Sequence, residues 1–316
     1  MRAGPAGGMR GVTVHPHAIL ALGVAAVSSA ALWVRWSHLP PAILAFYRLL
    51  FAALCLWPLA GWQLRRYGFP RQPAGWVAIA AVAGVSLAAH WTVWFASLGM
   101  TTVLHATVLV ATQPLFVMAA SRLLWGQRLQ PGQLGALAVC GLGVGGLALG
   151  QVAATGGSGP ATGSLAGDLL ALAAAALASV YLLCGQHVRR WVAVAPYLSV
   201  VYSTGALAAA SAAAGMGLPL FGWPVRELAV GLGMAAVPTL LGHSAFHAVI
   251  ARLGATTVAT AVLGEPVGAT LLAFLLLGEV PSGVALAGAA CTLVGLYRFM
   301  VRGRAVERGA GARAAG

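Results

Sequence analysis

The feature that most constrains this chain is a series of apolar stretches, each long enough to cross a membrane. A helix of about 20 mainly apolar residues spans a hydrocarbon core of roughly 30 Å, and a backbone that faces lipid must satisfy its hydrogen bonds internally. Only 7% of the residues are charged and 60% are hydrophobic, so most of the surface is expected to face lipid. The pattern predicts an all-α integral membrane protein with ten transmembrane helices, near 17–36, 41–62, 75–97, 102–124, 132–151, 167–187, 195–215, 228–250, 256–277 and 283–301.

The arginines predict the orientation, because cytoplasmic loops of membrane proteins carry an excess of positive charge. All 18 basic residues are arginine. With the N-terminus inside, only Arg35 and Arg226 fall in outer segments, and Arg48 lies within the second span. We therefore expect a multi-pass protein of the cell (cytoplasmic) membrane with both termini in the cytoplasm. The arginines are scattered between apolar stretches, which does not favour binding to nucleic acid.

The two halves of the chain resemble each other in sequence. The corresponding segments are Leu20-Ala21-Leu22 with Leu170-Ala171-Leu172, Gln113-Pro114 with Glu265-Pro266, and Gly126-Gln127 with Gly278-Glu279. Each half holds five spans, an odd number, so the second half must cross the membrane in the opposite orientation. Many secondary transporters have this architecture, with the substrate site at the repeat interface. The alternative, that duplication only builds a stable bundle, stays open.

This repeat predicts the organisation of the whole chain. The predicted parts are a cytoplasmic N-terminal tail (1–16), a first repeat of five spans (17–151), an uncharged external linker rich in Gly, Ser and Thr (152–166), a second repeat of five spans (167–301) and an Arg-rich cytoplasmic tail (302–316).

Several short motifs occur in an order and spacing that resemble a known family. They are Arg48 early in the second span, the Pro-containing fourth and ninth spans, Gly264-Glu265-Pro266 and Leu277-Gly278-Glu279. Over residues 17–301 the chain is similar to the EamA-type members of the drug/metabolite transporter (DMT) superfamily. The resemblance implies ten spans, cytoplasmic termini and export or exchange of amino acids, nucleosides, sugars or other metabolites. Gln113-Pro114 and Gly126-Gln127 depart from the family's frequent Glu-Pro and Gly-Glu, so it implies no proton-linked role there.

Two prolines mark the fourth and ninth spans as sites of local opening. Pro114 and Pro266 lack an amide hydrogen, so both are predicted to kink their helices. Gln113 and Glu265, directly before them, lie about 15 Å from the span ends, near the bilayer centre. An ionisable group at this depth is costly and usually functional, so Glu265 is the candidate proton relay. The alternative is that Glu265 only satisfies backbone groups opened by Pro266.

Further candidates for a substrate cavity come from three other spans. Those in the third and eighth spans are His90, Trp91, Trp94, His243 and His247, and Arg48 in the second span is suited to an anionic substrate. Residues four apart share a helical face, which pairs His90 with Trp94 and His243 with His247. The alternatives are helix-to-helix hydrogen bonding for the histidines, an interfacial position for the tryptophans and snorkelling for Arg48.

Together these features predict a multi-pass carrier that exports a small metabolite or drug-like solute by alternating access between inverted repeats. A lipid flippase or a passive channel is the main alternative. An intramembrane enzyme is a remote one, because Ser244 occupies the place of the catalytic Glu in an H-E-x-x-H motif. The predicted partners are the small-molecule substrate and the lipid bilayer, with a homodimer left open. No enzyme activity, metal or cofactor is predicted.

Overall fold

The computed structural model describes residues 15–70, 75–126, 131–154, 164–243, 245–246, 249, 253, 258 and 261–314. Every regular element within these ranges is a helix. Their bounds are Pro16–Ser28 and Ala30–Trp36 (first span), Pro41–Tyr67 (second), Trp76–Leu98 (third), Val103–Val110 and Gln113–Trp125 (fourth), Pro131–Ala154 (fifth), Leu165–Val188 (sixth), Val194–Gly215 (seventh), Val225–Met234 with Ala235–His243 (eighth), Gly264–Leu277 (ninth) and Gly283–Ala314 (tenth).

Within the described ranges, nine of these spans are long and apolar enough to cross a membrane. The ninth is the exception at 14 residues, because the predicted span from 256 to 277 lies partly outside the described residues. The helices at the ten predicted positions confirm the expected all-α membrane fold.

Three spans are interrupted where the sequence disfavours a regular helix. The fourth span breaks at Ala111 and Thr112, and a new helix starts with Gln113 and Pro114. The missing amide of a proline costs nothing in the first turn of a helix, where that amide has no intrahelical partner. The described helix of the ninth span begins in the same way, at Gly264. The first span is interrupted at Ser29, which separates its two helical segments.

The bundle has two chemically different ends. The end that carries Asp168, Glu227 and Glu279 is called the acidic end, and the opposite one, which carries exposed arginines, is called the arginine end. At the arginine end, the exposed side chains include Arg65, Arg66, Arg122, Arg190 and Arg298. At the acidic end, the amide of Ser164 donates to the carbonyl of Met100 over 2.8 Å and the Tyr47 hydroxyl donates to the carbonyl of Leu220 over 2.7 Å.

Packing between the spans shows that the two halves are related by a pseudo-two-fold axis. The first span packs against the eighth and ninth, and the sixth packs correspondingly against the third and fourth. The second span packs against the seventh, and the fifth against the tenth. Exchanging each span for the one five places along the chain reproduces the same pairs. Because each repeat has five spans, an odd number, the second repeat crosses the membrane in the opposite orientation, as predicted, and the core of the bundle lies between the repeats.

Small residues allow the closest of these helix pairs to form. A Cβ atom added to Gly143 in the fifth span would lie 2.7 Å from the carbonyl oxygen of Gly288 in the tenth, and one added to Gly295 would lie 2.6 Å from the amide nitrogen of Cys140. Glycine at such positions lets two membrane helices approach backbone to backbone.

Candidate functional site: a cavity between the two repeats

A cavity of about 270 Å³ lies between the repeats at mid-depth and is called the central cavity. Seven of the eight candidate residues predicted from the sequence line it: Arg48, His90, Trp91, Trp94, Gln113, His243 and Glu265. The eighth, His247, lies outside the described residues. Other lining side chains are apolar or aromatic and come from both repeats, including Val27, Leu87, Tyr181, Tyr202 and Phe246.

Arg48 is the most enclosed of the charged groups in the cavity wall. It is 2% exposed, so its side chain does not snorkel to the membrane surface. The guanidinium carbon lies 3.6 Å from the centre of the Trp91 ring, a cation–π stack, and Nε donates to the Thr239 hydroxyl over 2.8 Å. Contacts from the third and eighth spans therefore hold the guanidinium plane in one orientation.

Two further side chains of the third span present aromatic faces to the cavity. His90 Nδ1 donates to the carbonyl oxygen of Ala174 in the sixth span over 2.8 Å. The His90 ring stacks nearly parallel to the Trp94 ring, with centroids 6.4 Å apart. His90 thus hydrogen-bonds to a neighbouring helix and also lines the cavity, so it combines the two positions considered for it from the sequence.

The breaks in the fourth and ninth spans bring Gln113 and Glu265 to the cavity wall. Each residue lies in the first turn of the helix that begins at the break. The backbone carbonyl of Glu265 accepts a hydrogen bond from the Ser28 hydroxyl at 3.3 Å. Among the described residues, the Glu265 carboxylate makes no ion pair and no hydrogen bond to the opened backbone.

The eighth span reaches the cavity through a π-helical segment, Ala235–His243, which contains Pro238. The Thr239 hydroxyl donates to the carbonyl of Met234, five residues earlier, over 2.9 Å and accepts from Arg48. The π-helical segment ends at His243, and His247 lies outside the described residues, so the predicted shared face of these two histidines stays a prediction. Such segments occur frequently at functional sites. The His243 ring packs edge-on against Phe246, with centroids 6.2 Å apart.

Sequence reasoning missed three residues of the site. Tyr181 and Tyr202 line the cavity from the sixth and seventh spans, and the Tyr202 ring centroid lies 6.5 Å from that of Trp91. Neither has a histidine, tryptophan or charged residue beside it in the sequence, so no cluster marked them. Thr239 follows Pro238, and this proline inside a predicted helix was the one available signal.

Polar contacts join the two repeats at the acidic end, on one side of the central cavity. Arg35 of the first span forms an ion pair with Glu279 at 2.7 Å and donates to the carbonyl oxygen of Thr101 over 2.9 Å. The Thr101 hydroxyl in turn donates to the buried carboxylate of Asp168 over 2.7 Å, and His105 Nδ1 lies 3.0 Å from the same carboxylate. These contacts join the first and fourth spans to the second repeat.

Glu227, also buried, makes a third set of contacts at this end. Its carboxylate accepts from the Ser37 hydroxyl at 2.9 Å and from the backbone amide of His38 at 3.1 Å, both in the loop after the first span. Arg226 lies 3.0 Å from the other carboxylate oxygen. Asp168, Glu227 and Glu279 therefore each bind the opposite repeat, a role that the sequence alone did not indicate.

Toward the arginine end the central cavity adjoins a second cavity of about 420 Å³, between the fourth, sixth and seventh spans. Tyr181 and Leu182 line both cavities, and Gln186, Arg189 and Tyr197 line the second one. The central cavity thus has polar contacts between the repeats on its acidic side and adjoins the second cavity on its arginine side.

Inverted five-span repeats, helices broken at mid-depth and a cavity between the repeats are the architecture of a membrane transporter. The profile of the EamA-like transporter family matches residues 16–149 and again residues 165–301. The chain therefore belongs to the EamA-like transporter family of the DMT superfamily, which confirms the resemblance seen in its motifs.

Two further comparisons concern individual proteins. No curated protein matches the chain. A crystal structure, described only as that of a protein, is similar to it with a TM-score of 0.59 and 20% sequence identity, over 90% of this chain and 97% of its own. At that identity the similarity establishes a shared fold.

Proposed function

We propose that this protein is a carrier that exports a small metabolite by alternating access of the central cavity between the two sides of the membrane. The observation that carries the proposal is the position of the cavity between the repeats, where both repeats contribute side chains to it. A rocking movement of one repeat against the other would expose such a site to each side in turn.

The contacts at the two ends support this cycle. Arg35, Asp168 and Glu227 bind across the repeats at the acidic end, whereas the second cavity lies toward the arginine end. If the arginine end faces the cytoplasm, as the excess of arginine favours, the structure corresponds to the state in which an exporter loads its substrate. Both termini are then cytoplasmic, and the cell membrane is the membrane that we propose for this protein.

Glu265 is the group best placed to couple transport to a proton gradient. Its carboxylate lines the cavity, beside a helix break, and lacks an ion-pair partner among the described residues. An acid in such a place can bind a proton or the substrate, but in a coupled exchanger not both at once. Gln113 occupies the pseudo-symmetric position and cannot titrate.

The other functions considered differ in measurable ways. A passive channel would give flux that does not saturate and no counterflow, and a lipid flippase would move labelled phospholipid between leaflets. The members of the family to which this chain belongs are transporters, so an intramembrane enzyme stays the remote alternative. A homodimer is compatible with the fold and is tested by the mass of the purified protein in detergent or nanodiscs.

The test is uptake of labelled amino acids, nucleosides and sugars into proteoliposomes, with and without a pH gradient, for the parent protein and for Glu265→Gln. A proton-coupled carrier shows saturable uptake and counterflow that the gradient accelerates, and Glu265→Gln removes that acceleration. The matched variant is Gln113→Glu combined with Glu265→Gln, which moves the acid to the pseudo-symmetric position. Saturable uptake with unchanged pH dependence in Glu265→Gln would exclude Glu265 as the relay, and flux without saturation would exclude a carrier.

A further inference from the structure

The wall of the central cavity contains two buried hydrogen-bond donors that lack partners in the described part of the chain. They are Nη1 of Arg48 and Nε1 of Trp94. Of the three guanidinium nitrogens of Arg48, only Nε makes a hydrogen bond to the described residues. Buried polar groups in proteins are nearly always paired, and an unpaired one usually has a functional reason.

The charge of Arg48 is also unbalanced by any close carboxylate. Among the described side chains, no carboxylate oxygen lies within 4.0 Å of its guanidinium, although Glu265 lines the same cavity. A buried cation without an anion beside it is costly to maintain, and the Trp91 ring stabilises it only in part. Glu265 acts on Arg48 only from beyond contact distance, so an anion with acceptor oxygens bound in the cavity would supply the direct contact that the described carboxylates do not make.

The other walls limit what carries that anion. Aromatic rings of Trp94, Tyr202 and Phe246 and the apolar side chain of Val27 line the cavity, which suits a flat apolar body. The volume of about 270 Å³ is slightly below the roughly 300–1,000 Å³ that is typical of pockets for drug-sized ligands, so the solute is compact. One guanidinium balances the single charge of one carboxylate, whereas a phosphate dianion would need further cations.

We propose that the central cavity binds a compact solute with one carboxylate on a flat apolar body, and that Arg48 pairs with the carboxylate. This proposal rests on the proposed function, since it names the substrate class of the same cavity. Thr239 and the Trp91 ring hold the guanidinium in place for the pair. A solute that also carries an ammonium group would pair that group with Glu265, which lines the same cavity.

Four probes with the same phenyl body separate these features in a binding assay on the purified full-length chain, using calorimetry and thermal stabilisation. They are 3-phenylpropanoate with a carboxylate alone, phenylalanine with a carboxylate and an ammonium group, 2-phenylethylamine with an ammonium group alone, and 3-phenylpropan-1-ol with neither. We expect one or both of the carboxylate probes to bind at least tenfold more tightly than the other two. Tight binding of phenylalanine alone would indicate that its ammonium group pairs with Glu265. Equal binding of all four probes would overturn the proposal.

The matched variants are Arg48→Met and Arg190→Met, an exposed arginine at the arginine end. Arg48→Met should raise the midpoint of thermal unfolding, because it removes an unpaired buried charge, and should weaken carboxylate binding at least tenfold. Arg190→Met should bind as the parent does. If Arg48→Met does not fold, Arg48→Lys, which keeps the charge but loses the planar fork, provides the same comparison of binding. Unchanged carboxylate binding in a folded Arg48 variant would overturn the proposal.

Binding and flux are measured separately, so the two proposals can fail separately. Carboxylate binding without saturable flux would support the proposed ligand class and overturn the proposed carrier function. Saturable flux of a solute that lacks a carboxylate would support the carrier function and overturn the proposed ligand class.

Discussion

Nη2 of Arg35 lies 2.7 Å from Oε1 of Glu279, although the two residues are 244 positions apart in the chain. The second carboxylate oxygen of Glu279 accepts the backbone amide of Val103 at 2.9 Å. One side chain therefore joins the first span, the start of the fourth span and the loop after the ninth. Because these elements belong to different repeats, the contact must break whenever the repeats separate at the acidic end.

The first prediction concerns Glu279→Gln. It removes the ion pair and weakens the bond to Val103, so the free energy of unfolding should fall by about 1–3 kcal/mol. The acidic end should also open more often. A cysteine placed at Ala178, which lines the central cavity, should then react faster with a membrane-impermeant thiol reagent added on the acidic side.

The control for this experiment exchanges the charges. Arg35→Glu combined with Glu279→Arg keeps an ion pair and should restore part of the lost stability and the slow labelling. Equal labelling rates in the parent and in Glu279→Gln would show that this contact does not limit access from the acidic end.

A second prediction concerns Asp168, which is buried between Thr101 and His105. Asp168→Asn keeps the size of the side chain but loses charge-assisted hydrogen bonds, so the free energy of unfolding should fall by about 1–3 kcal/mol. Thermal unfolding of Asp168→Asn, Thr101→Val and the double variant measures the coupling. The two effects should be clearly non-additive because the residues touch. Additive effects would mean that this hydrogen bond contributes little.

A third prediction compares two glycines of the fifth span. A methyl group on Gly143 would overlap Thr292 and the carbonyl of Gly288 in the tenth span, so Gly143→Ala should destabilise the protein by about 1–3 kcal/mol. One on Gly145 meets nothing within 4 Å, so Gly145→Ala should be neutral or stabilise the helix by up to about 1 kcal/mol. Thermal unfolding in detergent checks both variants. The packing of the fifth and tenth spans described here would be wrong if the two behaved alike.

The fourth prediction tests how Arg48 is positioned. Thr239→Val removes the acceptor of Arg48 Nε, so the guanidinium is held less firmly for its substrate contact, and a coupling of about 1 kcal/mol between these neighbours corresponds to a rise in substrate KM of roughly fivefold. The maximal rate should change less, since the guanidinium remains in the cavity. Thr239→Ser keeps the hydroxyl and should restore the parent KM. Transport kinetics of the three proteins make the comparison, and a maximal rate that falls in both variants would instead indicate a general packing defect.

Much of the architecture could be predicted from sequence because a bilayer allows few solutions. Apolar stretches of about 20 residues form helices because a backbone inside the bilayer must satisfy its own hydrogen bonds. An odd number of spans in each repeat then makes the two repeats inverted. Pro114 and Pro266 marked the breaks in the fourth and ninth spans through the chemistry of proline alone. The same reasoning placed Arg48 and Glu265 inside the membrane.

What the sequence could not show is which side chains meet, because contacts between residues more than 200 positions apart depend on how helices rotate and pack. Only the tertiary structure decided that Glu279 binds Arg35, that Glu227 binds Ser37 and His38, and that Tyr202 joins the cavity wall. Pro238 marked the eighth span as irregular, but only the tertiary structure showed that its π-helical turn brings Thr239 to Arg48. Hydrophobic length alone determined the membrane fold, whereas the geometry of the site depended on the interlocking of the two repeats.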